Sequence, residues 1–362
     1  MTLSDKKNSA LPKKIDVLNA EDSHANAVNK IKKERIKPII VADYVKEIRL
    51  GNISYLSQAI TLVESTNIEK HQKAMQILEA CVGDANQAIR IGITGVPGVG
   101  KSTFIESFGK LLTSIGKKVA VLAIDPSSSV NNGSILGDKT RMELLVKDHL
   151  AYIRPTPSGN TLGGVARSTR ESILLCEAAG FDVIIIETVG VGQSETSVHN
   201  MVDFFLLLKL AGAGDELQGI KRGIIEMADA IVINKADGDN MRHANAAKTE
   251  FNRALHLFPA KESQWNPKVL TCSALQQTGI EEIWELIKSY LNLTNANGYF
   301  ESHRKKQNKY WLEATIRQEL LKNFEALPNM EAAFKTQLKA VNNHKTTPFL
   351  AAQKLLEQLY KK

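Results

Sequence analysis

The chain has 362 residues, 43% of them hydrophobic and 23% charged, which is enough for one large α/β domain with additions or for two domains. No run approaches the roughly 18–20 apolar residues that a membrane-spanning helix needs, so we expect no membrane partner. The net charge of +7 comes from the ends, because residues 1–38 carry 9 basic and 5 acidic residues and residues 301–362 carry 12 and 6. The segment between them is slightly acidic, which argues against a nucleic-acid partner.

The three cysteines and the polar start of the chain indicate where the protein works. Cys81, Cys176 and Cys272 are far apart and form no C-x-x-C pair, so neither a disulfide framework nor a zinc site is predicted. Residues 1–36 are rich in lysine and poor in large apolar side chains, and we expect disorder or a loosely held tail there. This segment has acidic residues and no apolar core, which is unlike a secretory signal or an Arg-rich transit peptide. We therefore expect a reducing, cytoplasmic location.

Hydrophobic periodicity divides the rest of the chain. From residue 42 to 88, apolar residues recur at three- and four-residue spacing, which predicts a small helical cap on the domain that follows. Up to about Leu291, strand-like runs then alternate with helical ones. The predicted strands are Arg90–Thr94, Val119–Ile124, Ala151–Arg154, Val183–Glu187, Phe204–Leu210, Ala230–Asn234 and Lys268–Cys272. Several are continuously apolar, so the pattern predicts a doubly wound, mostly parallel α/β sheet with ligands at the carboxyl ends of its strands.

The last sixty residues return to helix. One apolar stripe runs from Trp311 through Leu312, Ile316 and Leu320, and a second runs from Phe349 to Leu359. Such a stripe has to be buried, either against its own domain or against a second subunit.

A glycine-rich loop follows the first predicted strand and precedes a helix. Its sequence fits G-x-x-x-x-G-K-[ST], in which the glycines let backbone N–H groups converge on phosphates. Lys101 can reach the β- and γ-phosphates, and the hydroxyl of Ser102 can bind Mg²⁺. The predicted nucleotide-binding residues of this loop are Gly95, Val96, Pro97, Gly98, Val99, Gly100, Lys101, Ser102 and Thr103.

An N-K-x-D motif ends the sixth predicted strand. The carboxylate of Asp237 can accept both adjacent donors of guanine, and adenine presents no such pair. Asn234 can brace the loop, and the Lys235 stem can cover the base. Ser273, Ala274 and Leu275 follow the last strand, where a backbone N–H can meet the guanine O6.

The fourth predicted strand ends in Glu187, three residues before Gly190. Glu187 can hold Mg²⁺ through water, and the Gly190 N–H can sense the γ-phosphate and convert its loss into loop movement. An ordinary glycine turn is the alternative. Gln193 can orient water, although it lies three residues beyond Gly190.

Acidic residues also follow the second predicted strand. Asp125 ends that strand and would point at the metal or the attacking water, although an Asp before Pro also starts turns. Asp138 is a second candidate ligand for Mg²⁺, and Arg141 can reach phosphate. A solvated loop is the alternative for both.

Together these segments resemble one family, the G-protein chaperones of adenosylcobalamin-dependent methylmalonyl-CoA mutase and related acyl-CoA mutases. The resemblance spans about residues 42–325. Its most specific strings are Asp125–Ser129, Gly133–Met142, Arg154–Gly159, Leu162–Ala166, Glu187–Glu195 and Gly212–Lys221.

The resemblance implies a GTPase that binds the mutase, gates delivery of adenosylcobalamin and protects or rescues the enzyme from inactivated cofactor. It also implies Mg²⁺ near Ser102, Asp125, Asp138 and Glu187, with catalytic roles for Lys101, Asp125, Glu187 and Lys221. Lys221 would couple mutase binding to hydrolysis, in a loop where Ala211 replaces an expected proline. We expect a polar tail (1–38) that lies outside the resemblance, a helical extension (39–89), a GTPase domain (90–295) and a C-terminal arm (296–362). The resemblance implies a homodimer through this arm.

Two other functions compete with this interpretation. A nickel-insertion GTPase of related architecture would have clustered His and Cys ligands, but the eight histidines are scattered. A kinase or ATPase of an arginine/ornithine transport system would use ATP, against which the N-K-x-D motif argues. Pro97 and the lack of an evident arginine finger suggest slow intrinsic turnover, so we hypothesise that the partner completes the site.

Overall fold

Seven strands form one sheet, and every pair in it runs parallel. The computed structural model describes residues 39–84, 88–125, 142–157, 162–188, 194–211 and 222–357. The strands are β1 (Ile89–Gly95), β2 (Val119–Asp125), β3 (Ala151–Pro157), β4 (Val183–Glu187), β5 (Phe204–Leu210), β6 (Ala230–Asn234) and β7 (Lys268–Thr271). Their order across the sheet is β3-β2-β4-β1-β5-β6-β7. The predicted doubly wound parallel fold is confirmed.

One strand is clearly longer than predicted. β3 continues past Arg154 through Pro155 to Pro157. The prolines suggest a strand end because they cannot donate to a ladder. β3 lies at the edge of the sheet, beside β2 alone, and an edge strand tolerates proline.

The helices cover both faces of the sheet. The helices that precede and interrupt the first five strands are α1 (Val41–Arg49), α2 (Ile53–Val63), α3 (Ile68–Cys81), α4 (Lys101–Ser114), α5 (Glu143–Val146), α6 (Leu162–Ala178) and α7 (Ser194–His199). Those that follow are α8 (Arg222–Met227), α9 (Met241–Leu255), α10 (Ile280–Ala296), α11 (Tyr299–Glu325), α12 (Met330–Asn342) and α13 (Pro348–Leu356). Within the described ranges, no helix combines the length and apolar character needed to cross a membrane.

Successive side chains along a strand point to opposite faces of the sheet, so each face has its own core with its own helices. Ile91 of β1 joins α4 and α10 in one core, whereas Phe205 of β5 joins α6 and α7 on the opposite face. On that second face, Gly92 of β1 lets α7 approach closely, because a Cβ there would lie 3.1 Å from Val198.

The N-terminal helices α1, α2 and α3 pack against the sheet domain. Leu56, Ile60 and Ile77 are fully buried in the core that also contains β2 and α6. The apolar face of these helices is therefore part of the main core. The predicted tail at residues 1–36 lies outside the described residues, and the domain boundaries remain predictions.

The C-terminal helices bury little of their predicted stripes. Trp311 of α11 is partly buried and donates its indole N–H to the Asn200 carbonyl at 2.9 Å. Leu312, Ile316 and Leu320, further along the same helix, are between 50% and 64% exposed. In the described chain, most of this stripe is not covered by its own domain.

Candidate nucleotide site

The phosphate loop connects β1 to α4, as the motif requires. Gly98 and Gly100 have φ angles of +80° and +92°, in the left-handed region that favours glycine. A Cβ on Gly100 would also lie 2.8 Å from the side-chain nitrogen of Asn234. Gly100 is therefore required both by its backbone conformation and by the close approach of the base-recognition segment.

Lys101 opens α4 with its amine held inside the loop. Its Nζ donates to the carbonyl of Gly95 at 2.8 Å and to that of Val96 at 3.3 Å. Burial lowers the pKa of this amine, and the nearby carboxylate of Glu187 acts in the opposite direction. The lysine thus lies beside the backbone that would surround the phosphates.

The other loop residues divide between core and surface. Val99 is buried and anchors the loop in the core, whereas Val96 and Pro97 are exposed. Ser102 and Thr103 are partly buried in the first turn of α4, where helix N–H groups lack intrahelical partners and favour an anion.

Asn234 joins the phosphate loop to the base-recognition segment. Its side chain is fully buried, donates from Nδ2 to the Val99 carbonyl at 2.9 Å, and accepts at Oδ1 from the Ala274 N–H at 3.1 Å. One amide therefore connects the phosphate loop with the segment after β7.

Lys235 and Asp237 continue this arrangement. Lys235 adopts a left-handed φ of 58° and donates from Nζ to the Gly98 carbonyl at 3.0 Å, so its stem crosses towards the phosphate loop. Asp237 accepts a hydrogen bond from the Ser273 hydroxyl. Leu275 is exposed beside them. The structure therefore brings together the two segments that the sequence proposes for guanine.

The acidic candidates are described in part. Glu187 is buried at the carboxyl end of β4 and pairs in register with Ile93 of β1 and Ala123 of β2. Asp125 ends β2 two residues beyond Ala123, on the same edge of the sheet, although its side chain lies outside the described part. The candidates Asp138, Arg141, Gly190, Gln193 and Lys221 also lie outside the described residues.

Two further contacts that shape the site were missed by sequence reasoning. Ser107 of α4 donates to the Ala274 carbonyl at 2.6 Å, so α4 is bonded to the base segment. Thr188 donates to Thr94 between their hydroxyls at 2.8 Å, which fixes the start of the loop after β4 against β1. A polar residue on an otherwise apolar, buried element is the signal that marks Ser107, Thr94 and Thr188, but it does not identify their partners.

A phosphate loop on β1, bonded through one buried asparagine to an N-K-x-D strand end, places the chain among the P-loop GTPases. A family model described as "Methylmalonyl Co-A mutase-associated GTPase MeaB" matches residues 56–329. The chain belongs to that family. It binds guanine nucleotides and hydrolyses GTP.

Relatives of known name extend over most of the chain. It is 46% identical over 322 residues to "GTPase ArgK" of Escherichia coli, covering 89% of this chain and 97% of the relative. It is 44% identical over 317 residues to "Methylmalonic aciduria type A homolog, mitochondrial" of Mus musculus, covering 85% and 76%. A solved structure named "LAO/AO transport system kinase" has a TM-score of 0.73 and 40% identity, covering 90% of this chain and all of that one.

Proposed function

We propose that this GTPase is a chaperone of an adenosylcobalamin-dependent acyl-CoA mutase of the methylmalonyl-CoA mutase type. It would gate loading of the cofactor and protect or reactivate the mutase. The observation that carries this proposal is the match of residues 56–329 to a family described as mutase-associated. The similarity to the mouse methylmalonic aciduria homologue supports it.

In this proposal each part of the site has one task. Lys101 and the loop from Gly95 to Thr103 hold the phosphates, while Asp237 and the Ser273–Leu275 segment read guanine. The donors proposed for Mg²⁺ are Ser102, Asp125, Asp138 and Glu187. A hydroxyl and carboxylates suit a hard cation, which would neutralise charge developing on the phosphates.

Regulation by the partner is the second part of the proposal. Pro97 is exposed at the mouth of the loop, and slow intrinsic hydrolysis leaves room for acceleration by the mutase. Gly190 would report the γ-phosphate, and Lys221 would couple mutase binding to hydrolysis. A partner that binds the competent state preferentially would raise the rate by shifting the population towards that state.

The test is GTP hydrolysis by the full chain, alone and with saturating acyl-CoA mutase from the same organism. We expect stimulation by the mutase, abolished by Lys101→Ala. The matched control is Lys305→Ala, which removes an exposed lysine paired with Glu301 on α11. A hydrolysis rate unchanged by any adenosylcobalamin-dependent acyl-CoA mutase would contradict the chaperone role and leave the GTPase activity intact.

We also propose a homodimer formed through the C-terminal arm. Leu312, Ile316 and Leu320 present an apolar stripe on α11 that is largely exposed in one chain, and Phe349 of α13 is 86% exposed. Covering such a stripe with a second copy removes apolar area from water. Light scattering should show a dimer that Ile316→Glu dissociates, whereas Glu313→Gln on the same helix should not.

A second candidate function follows from one solved relative. The structure named "LAO/AO transport system kinase" is 40% identical to this chain. A transport kinase would use ATP and phosphorylate an acceptor. Competition between ATP and GTP separates the two functions, because the proposal requires that excess ATP fails to displace GTP.

For the metal-insertion alternative, the described residues contain no group of three or more His, Cys, Asp or Glu able to hold a metal.

A further inference from the structure

A cavity lies at the edge of the sheet opposite the phosphate loop. It encloses about 430 Å³ and is bordered by the end of α7, by α8, by the segment after α9, and by α10 and α11. Phe205, Asp229 and Pro267 line it, and they stand at or just before the amino ends of β5, β6 and β7. The phosphate loop follows the carboxyl end of β1, so the cavity is separate from the nucleotide site.

Aromatic rings form much of the cavity wall. Tyr290 of α10 packs edge-on against Phe204 at 5.0 Å and against Trp265 at 5.4 Å between ring centroids. His199, at the end of α7, packs edge-on against Phe205 at 5.6 Å and His303 at 6.1 Å. Rings fixed in this way present a rigid surface, and their faces attract cations.

Two of these rings carry polar atoms that the protein leaves available. Tyr290 is only 3% exposed, yet its hydroxyl has no hydrogen-bond partner among the described residues. The same holds for the ring nitrogens of His199, within the part of the chain that the structure describes. Both residues line the cavity and these atoms are open to solvent there, so a ligand can bond to them in place of water.

The cation that lines the cavity is fully used by the protein. Lys261 donates to Asp229 at 2.7 Å, to the Met227 carbonyl at 2.9 Å and to the Ala228 carbonyl at 2.8 Å. An ammonium has three donors, so these three bonds leave none for an anionic ligand.

Burial and the carboxylate of Asp229 both act on the titratable groups of the cavity. Burial raises the pKa of the Tyr290 and Tyr299 hydroxyls, to about 12 for Tyr299, and the nearby carboxylate of Asp229 raises both further. Burial also lowers the pKa of His199 to about 4, which keeps its ring neutral at physiological pH. Among the charged neighbours of His199, Asp229 has the largest effect and raises its pKa, whereas Lys261 has a smaller effect and lowers it.

We propose that this cavity binds a small organic cation, a protonated amine, with the Tyr290 hydroxyl and a ring nitrogen of His199 as hydrogen-bond acceptors. The ammonium group bonds to these atoms, and its aliphatic part packs against Trp265 and the neighbouring rings. This site does not depend on the mutase or on the nucleotide. It assigns the protein a second ligand of a different chemical class.

Calorimetric titration of the full, GDP-loaded chain in an amine-free buffer tests the proposal. The probes are n-butylammonium, neutral 1-butanol and anionic butyrate, which share a chain length and differ in charge. We expect saturable binding of n-butylammonium and none of butyrate, with 1-butanol weaker by about tenfold or more. Absence of n-butylammonium binding, or equal or tighter binding of either of the other probes, overturns the proposal.

Variants place the binding in this cavity. Tyr290→Phe keeps the ring and removes a hydroxyl that bonds to nothing in the described protein, so thermal unfolding should be unchanged and n-butylammonium affinity should fall about three- to tenfold. His199→Phe should weaken binding similarly. Tyr310→Phe, on the more exposed face of α11, is the matched control and should leave binding unchanged. Unaltered affinity in both cavity variants contradicts the assignment.

Discussion

At the scale of single residues, Asn234 has the largest structural task in the site. Its amide satisfies the Val99 carbonyl of the phosphate loop and the Ala274 N–H of the base segment. Both groups are buried with it. The asparagine therefore sets the distance between the phosphate loop and the segment that we propose reads the base.

Asn234→Ala should lower both stability and nucleotide affinity. The truncation leaves a buried carbonyl and a buried N–H without partners, at a cost of roughly 2–4 kcal/mol in the free energy of unfolding. Urea denaturation and GDP titration measure the two effects. Asn245→Ala, on the exposed face of α9, is the control and should change neither. A variant with normal stability and normal GDP affinity would show that this bridge is unimportant.

Residue identities in the motifs were predictable, but their cross-connections were not. The N-K-x-D pattern predicts that Asn234 is a brace, because Asn234 and Asp237 are only three residues apart in the chain. Ser107 and Ala274 are 167 residues apart, and only the fold shows that they meet. A serine on an apolar helix gives no indication of which distant carbonyl it will bond.

At the scale of elements, α11 is attached to the sheet by buried polar side chains in its first turns. Arg304 donates from Nη2 to Asp203 at 2.6 Å and also to the Ala88 carbonyl at 2.6 Å. Gln307 donates to the Val202 carbonyl at 2.7 Å. The hydrophobic pattern missed these contacts because it treats charged and amide side chains as surface. Its stripe begins at Trp311, beyond the most buried part of the helix.

Arg304→Leu should destabilise the protein by about 3–5 kcal/mol, because it leaves the buried Asp203 carboxylate without its cation. The side chains of Arg304 and Asp203 are 9% and 1% exposed. Lys306→Leu removes a cation two residues further on whose pair with Glu262 is 60% and 73% exposed, and it should cost about 0–1 kcal/mol. Urea denaturation compares the two variants. Equal effects would contradict the role assigned to the buried pair.

The end of α4 is joined to the turn before β3 through Asp148. Lys110 donates to this carboxylate at 2.6 Å and Thr113 donates at 2.7 Å. These hydrogen bonds lower the pKa of Asp148 from 3.8 to about 2. The folded state therefore favours the ionised carboxylate more strongly than the unfolded state does.

The sign of this pKa shift sets a pH window for stability. The contribution of Asp148 is present above the unfolded value of 3.8 and is lost as the pH falls through about 2. Asp148→Asn should thus be less stable than the parent near neutral pH, and the difference should shrink below pH 3.8. Urea denaturation across this range measures it. A difference that stays constant with pH would contradict the assignment.

At the scale of the whole molecule, the sheet was predictable and its covering only in part. Buried parallel strands are continuous apolar runs, so Val183–Glu187, Phe204–Leu210 and Ala230–Asn234 have the predicted bounds. The strand order was not predictable, because apolar runs do not specify their neighbours. The exposed stripe on α11 shows a related limit, since periodicity identifies an apolar face without naming what covers it.

The central claim is a site that reads guanine through Asp237, and one substitution tests it most directly. Xanthine carries a carbonyl where guanine carries its exocyclic amine, so an amide at position 237 pairs with xanthine as a carboxylate pairs with guanine. Asp237→Asn should lose GTP affinity by about ten- to a hundredfold and gain affinity for xanthosine triphosphate. Unchanged preference for GTP in a folded Asp237→Asn variant would contradict the account.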